Sequence, residues 1–296
     1  MHTPNPKAWI KTATRIVNHA GRRAFAPNEL HKLLGTQNDR FLRPALTISF
    51  EAFLEILISS GQISHVDVEP TSTSSGYRIF PRYVWKDATG IDIALSLRKN
   101  SYLSHGTAAR LHKLTNYKPN HIYVNKEQSP KARQESSLTQ EAIDRAFKNA
   151  PRTTQYVYKH KDDSFILVNG KHSGNYEVYE TSLAGHTIKL TGLDRTLVDI
   201  AVRPVYAGGH QEVLCAFRKA RTKLSIPKIA AILKKLDHLY PYHQALGFYL
   251  EKTGIAAAEL DVFKEMGLRF DFYLGNRMQS PKYHSGWKVF YPSGLR

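Results

Sequence analysis

The chain has 296 residues, 42% of them hydrophobic, which is enough to bury a sizeable core and, at ordinary domain sizes, to form about two domains. Its 42 Lys+Arg against 25 Asp+Glu give a formal net charge of +17 and a pI near 9.8, pointing to a polyanionic partner, either nucleic acid or an acidic protein. The single cysteine, Cys215, excludes an internal disulfide and a Cys-rich metal site, and no stretch approaches the roughly 18 apolar residues of a membrane span.

The N-terminal MHTPNPKAW has no apolar secretory core, so the expected location is cytoplasmic. Asn5-Pro6 is a cap followed by the imino acid favoured at a first helical position, and Trp9, Ala13, Ile16, Val17 and Ala20 then recur at helical spacing. Lys7, Lys11 and Arg15 line the opposite face of this first helix. Ala26-Pro27 starts a second helix with Leu30, Leu33 and Leu34 as its stripe, and Gly35 is expected to supply a left-handed stop. After the polar TQNDRFLRP, residues Phe50, Phe53, Leu54, Leu57 and Ile58 fit a third helix ending at Gly61. QISHVDVEP and SGYRIFPRYVW then alternate like two strands joined by TSTSS. Three helices followed by a hairpin is the order of a winged helix-turn-helix.

The third helix is very apolar and carries Glu51 and Glu55, whereas a helix in a major groove should offer donors to bases and cations to phosphates. The expected DNA contacts are therefore Lys11 and Arg15 on the first helix, Asn38, Arg40, Arg43, Thr47 and Ser49 at the approach to the third, and Tyr77, Arg78 and Arg82 in the wing.

The pattern changes near Lys86 to Gly90, which sets the expected boundary between domains 1–88 and 89–296. GIDIALSLRKN and HGTAARLHKL read as helices, HIYVN as a strand, and EAIDRAFKNA as another helix. TQYVYKH, SFILVNG, YEVYETS and HTIKLT follow as strands, and from Gly192 onward the pattern is mostly helical. Strands first and helices after within one block imply a larger mixed α+β domain, so the chain as a whole is of the α+β class.

The motifs of several enzyme classes are missing. There is no GxxxxGK[ST], HExxH or GxSxG, and no acidic residue stands two positions before a Lys, as a metal-dependent nuclease of the restriction type requires. The 14 histidines show no ligand spacing, so neither a metal nor a cofactor is expected. Ser104 or Thr107 is better explained as a helix cap than as a nucleophile beside His105. In GLDRTLVDIAVRPVYAGG, Thr191 and Asp194 make a near capping box, while Leu193, Leu197, Ile200 and Ala201 form a buried stripe. Arg195 and Asp199 lie four apart and can pair, Pro204 stops the helix, and Gly208-Gly209 permits a sharp reversal. Beyond it, FRKARTKLSIPKIAAILKKL places Arg218, Lys219, Arg221, Lys223, Lys228, Lys234 and Lys235 together with no acid between them, an expected partner or nucleic-acid surface.

TGLDRTLVDIAVRPVYAGGHQEVLCAF, with YLSHGTAARLHKLT and WKVFYPSGL, resembles the AbiEi family of antitoxins and transcriptional repressors of type IV toxin-antitoxin systems, over about residue 100 to the C-terminus. The resemblance implies an N-terminal winged helix joined to a larger antitoxin domain. It also implies binding to double-stranded DNA at inverted repeats upstream of the protein's own operon, and counteraction of a nucleotidyltransferase-type toxin. Arg195 and Asp199 match the family's Arg and Asp in this helix and are carried over as structural residues. On this reading the protein is not an enzyme. The alternative is a nucleic-acid-processing enzyme, such as a nuclease, with an unfamiliar active site.

Overall fold

Pro6 opens α1 (Pro6–Ala20), and Ala13, Ile16 and Val17 are buried along one side of it at helical spacing. β1 (Ala24–Phe25), α2 (Pro27–Leu34) and α3 (Phe50–Ser59) follow, then β2 (Ile63–Pro70) and β3 (Phe80–Trp85), which pair antiparallel with Ile63 opposite Trp85. The computed structural model describes residues 6–35, 49–72, 78–117, 119–130 and 138–296. The first core gathers Phe25, Leu30, Leu34, Phe53, Leu57 and Trp85 around the buried face of α1. The left-handed stop expected at Gly35 is not formed, since its φ is −70° and its ψ 163°. A glycine is needed there for another reason: a Cβ would come within 2.4 Å of the His31 carbonyl, to which the Gly35 amide donates at 2.7 Å.

α4 (Gly90–Ser96) starts with a capping box in which the Thr89 amide and hydroxyl both donate to Asp92, at 2.8 and 2.7 Å. β4 (Tyr102–Leu103), α5 (His105–Leu111), β5 (His121–Glu127) and α6 (Gln140–Lys148) come next. The strands β6 (Val157–His160), β7 (Asp163–Gly170), β8 (Val178–Leu183) and β9 (His186–Thr191) follow. The remainder holds α7 (Leu193–Val202), α8 (His210–Ala220), α9 (Ile226–Leu236), α10 (Tyr242–Lys252) and α11 (Asp261–Lys264), with the short strands β10 (Phe272–Tyr273), β11 (Lys282–His284) and β12 (Val289–Tyr291). The fold is mixed α+β. Among the described residues no helix is long and apolar enough to cross a membrane.

Two compact units result. One takes in the described residues up to Ser101 together with Gln155–Ile166 and Glu180–Ile188; the other takes in Tyr102–Thr154, Leu167–Tyr179 and Lys189–Arg296. The division differs from a single cut at 88/89, because strand pairing is not local. β6 adds to β2 with Glu69 opposite Lys159, and Val157 lies opposite Ile166 of β7. Within the first unit, Arg23 is buried and its guanidinium donates to Asp87 (3.0 Å), Asn18 (2.8 Å) and the Val17 carbonyl (3.3 Å). His186 meets Asp92 at 3.0 Å with both side chains about 5% exposed, and the Thr187 amide donates to the Gly21 carbonyl. Neither pair announces itself in sequence, since the partners are far apart along the chain.

The second unit is built on the helices. Leu197, Val198, Ile200 and Ala201 of α7 enter a core with Leu214 and Phe217 of α8, Ile229 and Leu233 of α9, and Leu246 and Tyr249 of α10. β4 pairs antiparallel with β5 (Tyr102 opposite Asn125) and parallel with β9 (Leu103 opposite Leu190). α7 ends at Val202 before Pro204, and Gly208 and Gly209 adopt φ of 85° and 92°, a reversal that side chains with a Cβ resist. The helix start differs from expectation. Gly192 is the N-cap, the Thr191 hydroxyl bonds Thr196 at 2.8 Å, and Asp194 instead accepts from the Ser225 amide at 2.9 Å, tying α7 to the start of α9.

Candidate nucleic-acid interface and the buried polar cluster

In the first unit Lys11 and Arg15 stand exposed on α1, opposite the buried Ala13, Ile16 and Val17. Arg78 is also exposed, with its guanidinium 5.2 Å from the centre of the Phe80 ring. The Ser49 hydroxyl caps α3, accepting from the Ala52 amide at 3.2 Å, so its first role is to start that helix. Asn38, Arg40, Arg43, Thr47 and Tyr77 lie outside the described residues.

Arg82 does not belong to this surface. It is 5% exposed, and its guanidinium donates to the Ser96 hydroxyl (2.9 Å), the Ser96 carbonyl (3.0 Å) and the Pro81 carbonyl (2.7 Å). Its donors are spent binding β3 to the end of α4, and burial lowers its pKa. α3 presents Glu51, Glu55 and a 42% exposed Ile58 to solvent, a face that repels phosphate.

In the second unit the basic run divides. Arg218, Lys223, Lys234 and Lys235 are exposed and make no ion pair among the described residues. Lys219 and Arg221 are exposed as well but reach neutral acceptors, Asn116 Oδ1 at 2.8 Å and the Gly254 carbonyl at 3.0 Å. Lys228 leaves the group: it pairs with Glu177 at 2.7 Å and Asp194 at 3.8 Å and lies 5.6 Å from the Tyr179 ring centre. Glu177 precedes the run by many residues, so counting acids within the run missed the ion that neutralises Lys228.

The most elaborate polar arrangement surrounds α7. Arg195 Nε donates to Asp199 Oδ1 at 2.8 Å, and Nη1 donates to the Tyr176 carbonyl at 2.8 Å and the Ser173 hydroxyl at 3.4 Å. Ser173 in turn donates its amide (2.7 Å) and its hydroxyl to Glu127, which also accepts from the Asn175 amide (3.2 Å) and the Tyr102 hydroxyl (3.1 Å). Asn125 donates to the Tyr102 oxygen at 2.6 Å and accepts from the Gly170 amide at 2.8 Å. Burial pulls the Arg195 guanidinium down, but Asp199, with Tyr102 and Glu127, more than offsets it and the net pKa is raised. Burial likewise pushes Glu127 up, yet four hydrogen bonds leave it below the ordinary value and therefore ionised.

Two histidines, the buried His105 and the part-buried His238, feel the same charges. Burial lowers His105 and His238 to about 4 each, against the pull of Asp199, so both are neutral at pH 7. His238 Nε2 is buried with no hydrogen-bond partner, and its ring meets Tyr242 edge-on at 5.4 Å. Ser104 occupies the N-cap position of α5, but its hydroxyl contacts His105 Nδ1 at 2.8 Å instead of capping, and Thr107 accepts from the Tyr123 amide. Ser104 is 0% exposed, so this Ser-His contact is closed to substrate. Among the described residues no three His, Cys, Asp or Glu side chains gather as metal ligands. Of this cluster, only the Arg195–Asp199 spacing was visible in sequence.

No family model matches the chain and no curated protein matches it. Among solved structures, it is similar to the crystal structure of the RV2827C protein from Mycobacterium tuberculosis, with a TM-score of 0.57 at 11% identity over 96% of this chain and 91% of that one. At that identity the likeness is one of fold.

Proposed function

We propose that the protein is a DNA-binding transcriptional autoregulator and the antitoxin of a type IV toxin-antitoxin system, with a winged helix-turn-helix at its N-terminus. One observation carries the DNA-binding part: the order helix, strand, helix, helix, strand, strand of α1 to β3 comes with exposed Lys11, Arg15 and Arg78 on a chain of net charge +17. The antitoxin part rests on the AbiEi-like segments, whose Arg195 and Asp199 serve the fold of the second unit. In this reading the protein needs no cofactor and turns nothing over. It acts in the cytoplasm on an inverted-repeat operator and counteracts a nucleotidyltransferase-type toxin.

The test is binding of the purified chain to the DNA upstream of its own operon, over stepped salt, against a scrambled duplex of equal length. Preference for the native duplex, a steep salt dependence, and rescue of cells expressing the neighbouring toxin are the expected results. Equal binding to both duplexes, or cleavage of DNA or RNA in Mg²⁺ or Mn²⁺, overturns the reading.

A further inference from the structure

The first unit holds a groove of about 570 Å³ between α2 and α3. Phe50, Leu54 and Tyr83, all part-buried, and the exposed Ile58 give it an apolar lining, while Glu51 and Glu55 stand on its α3 side. Ile58 is 42% exposed, and it follows Leu54 by one helical turn, so the two make a continuous apolar strip. Glu51 and Glu55 have no ion-pair partner among the described residues. Glu51 sits in the first turn of α3, where its own backbone amide and the Ser49 hydroxyl favour the ionised form. An acidic-edged apolar groove on a chain of net charge +17 is complementary to an apolar segment that carries cations, and it is the wrong surface for phosphate. A second copy of the chain seated symmetrically on the same groove would bring four glutamates together at one contact.

We propose that the α2–α3 groove docks an amphipathic helix of a partner protein, with apolar anchors seated along Leu54 and Ile58 and flanking lysines or arginines meeting Glu51 and Glu55. This gives α3 a protein-binding role and leaves the exposed cations of α1 and Arg78 to nucleic acid. It does not depend on the antitoxin reading.

A labelled Leu/Lys amphipathic peptide of about four turns and its Leu/Glu counterpart are the probes, titrated against the full chain by fluorescence anisotropy. The net charge of the protein as a whole favours the Leu/Glu peptide, so a preference for Leu/Lys that the Glu51 and Glu55 changes remove is diagnostic of this groove. The double variant Glu51→Lys/Glu55→Lys should weaken Leu/Lys binding by roughly tenfold or more, and Ile58→Ser should weaken binding of the peptide with the fold retained, as checked by circular dichroism. In the wild type, the Leu54 and Ile58 methyl resonances should shift on addition of Leu/Lys peptide. Equal or stronger binding of Leu/Glu, undiminished binding in the folded double variant, or unmoved methyl resonances each overturn the proposal. So does self-association that Ile58→Ser abolishes, or a shift of the same methyl resonances on adding operator DNA.

Discussion

Arg195 and Asp199 are joined at 2.8 Å across one turn of α7, with side chains only 5% and 12% exposed. An exposed pair at this spacing is worth about 0.3 to 0.5 kcal/mol, but burial changes the accounting because each ion then depends on the other. Arg195→Ala should leave Asp199 without its cation, and should also free the Tyr176 carbonyl and Ser173. The expected loss is about 3 to 5 kcal/mol, read by chemical denaturation. Unchanged stability with lost operator binding or lost toxin rescue would make this arginine a functional contact instead.

Acid should weaken the second unit before carboxylates begin to protonate. Burial holds His105, His210 and His238 at about 4 in the folded chain, against an ordinary value of 6.5. The unfolded chain therefore binds more protons between those values, and stability, fully present above pH 6.5, is lost as pH falls toward 4. For the buried His105 the loss is about 3 kcal/mol across the full window, and the part-exposed His210 and His238 contribute less. Denaturation midpoints at steps from pH 7.5 to 4 check this, and a flat profile down to pH 5 would show that the three rings are not held in the neutral form.

Arginines of one hairpin should behave oppositely. Arg82→Ala removes donors from the buried Ser96 carbonyl and hydroxyl, and should cost about 1 to 3 kcal/mol of stability. Lys11→Ala and Arg78→Ala should leave the denaturation midpoint in place while lowering DNA affinity, and each should reduce the salt slope by about one. If both surface variants bind DNA with wild-type affinity and salt dependence, the contact lies elsewhere.

The basic helices separate in the same way. Lys228→Glu should destabilise, since it sets a third acid beside Glu177 and Asp194. The quadruple change of Lys219, Lys223, Lys234 and Lys235 to Glu should remain folded, because all four side chains are exposed. Loss of operator affinity alone would assign that face to DNA, and loss of toxin rescue with repression intact would assign it to the antitoxin activity. Wild-type performance in both assays would make it a solvated face.

Periodicity along the chain was enough to orient α1, with Ala13, Ile16 and Val17 inward and Lys11 and Arg15 outward, because side-chain direction in a helix follows spacing alone. The reversal after α7 was legible for a similar local reason, as Gly208 and Gly209 supply a backbone conformation that few other residues accept. The Arg195–Asp199 pair was legible as spacing, but its burial was not. That burial comes from β4, β5 and the 173–176 segment, which deliver Tyr102, Glu127, Ser173 and the Tyr176 carbonyl to one side of α7. Arg82 and Lys228 mark the same limit. Each looked like one more surface cation until Ser96 in one case and Glu177 in the other, both distant in sequence, took up its donors. Local pattern encodes which way a side chain points, whereas the partner it finds depends on which distant segment packs there, and that was decided only when the strands and helices came together.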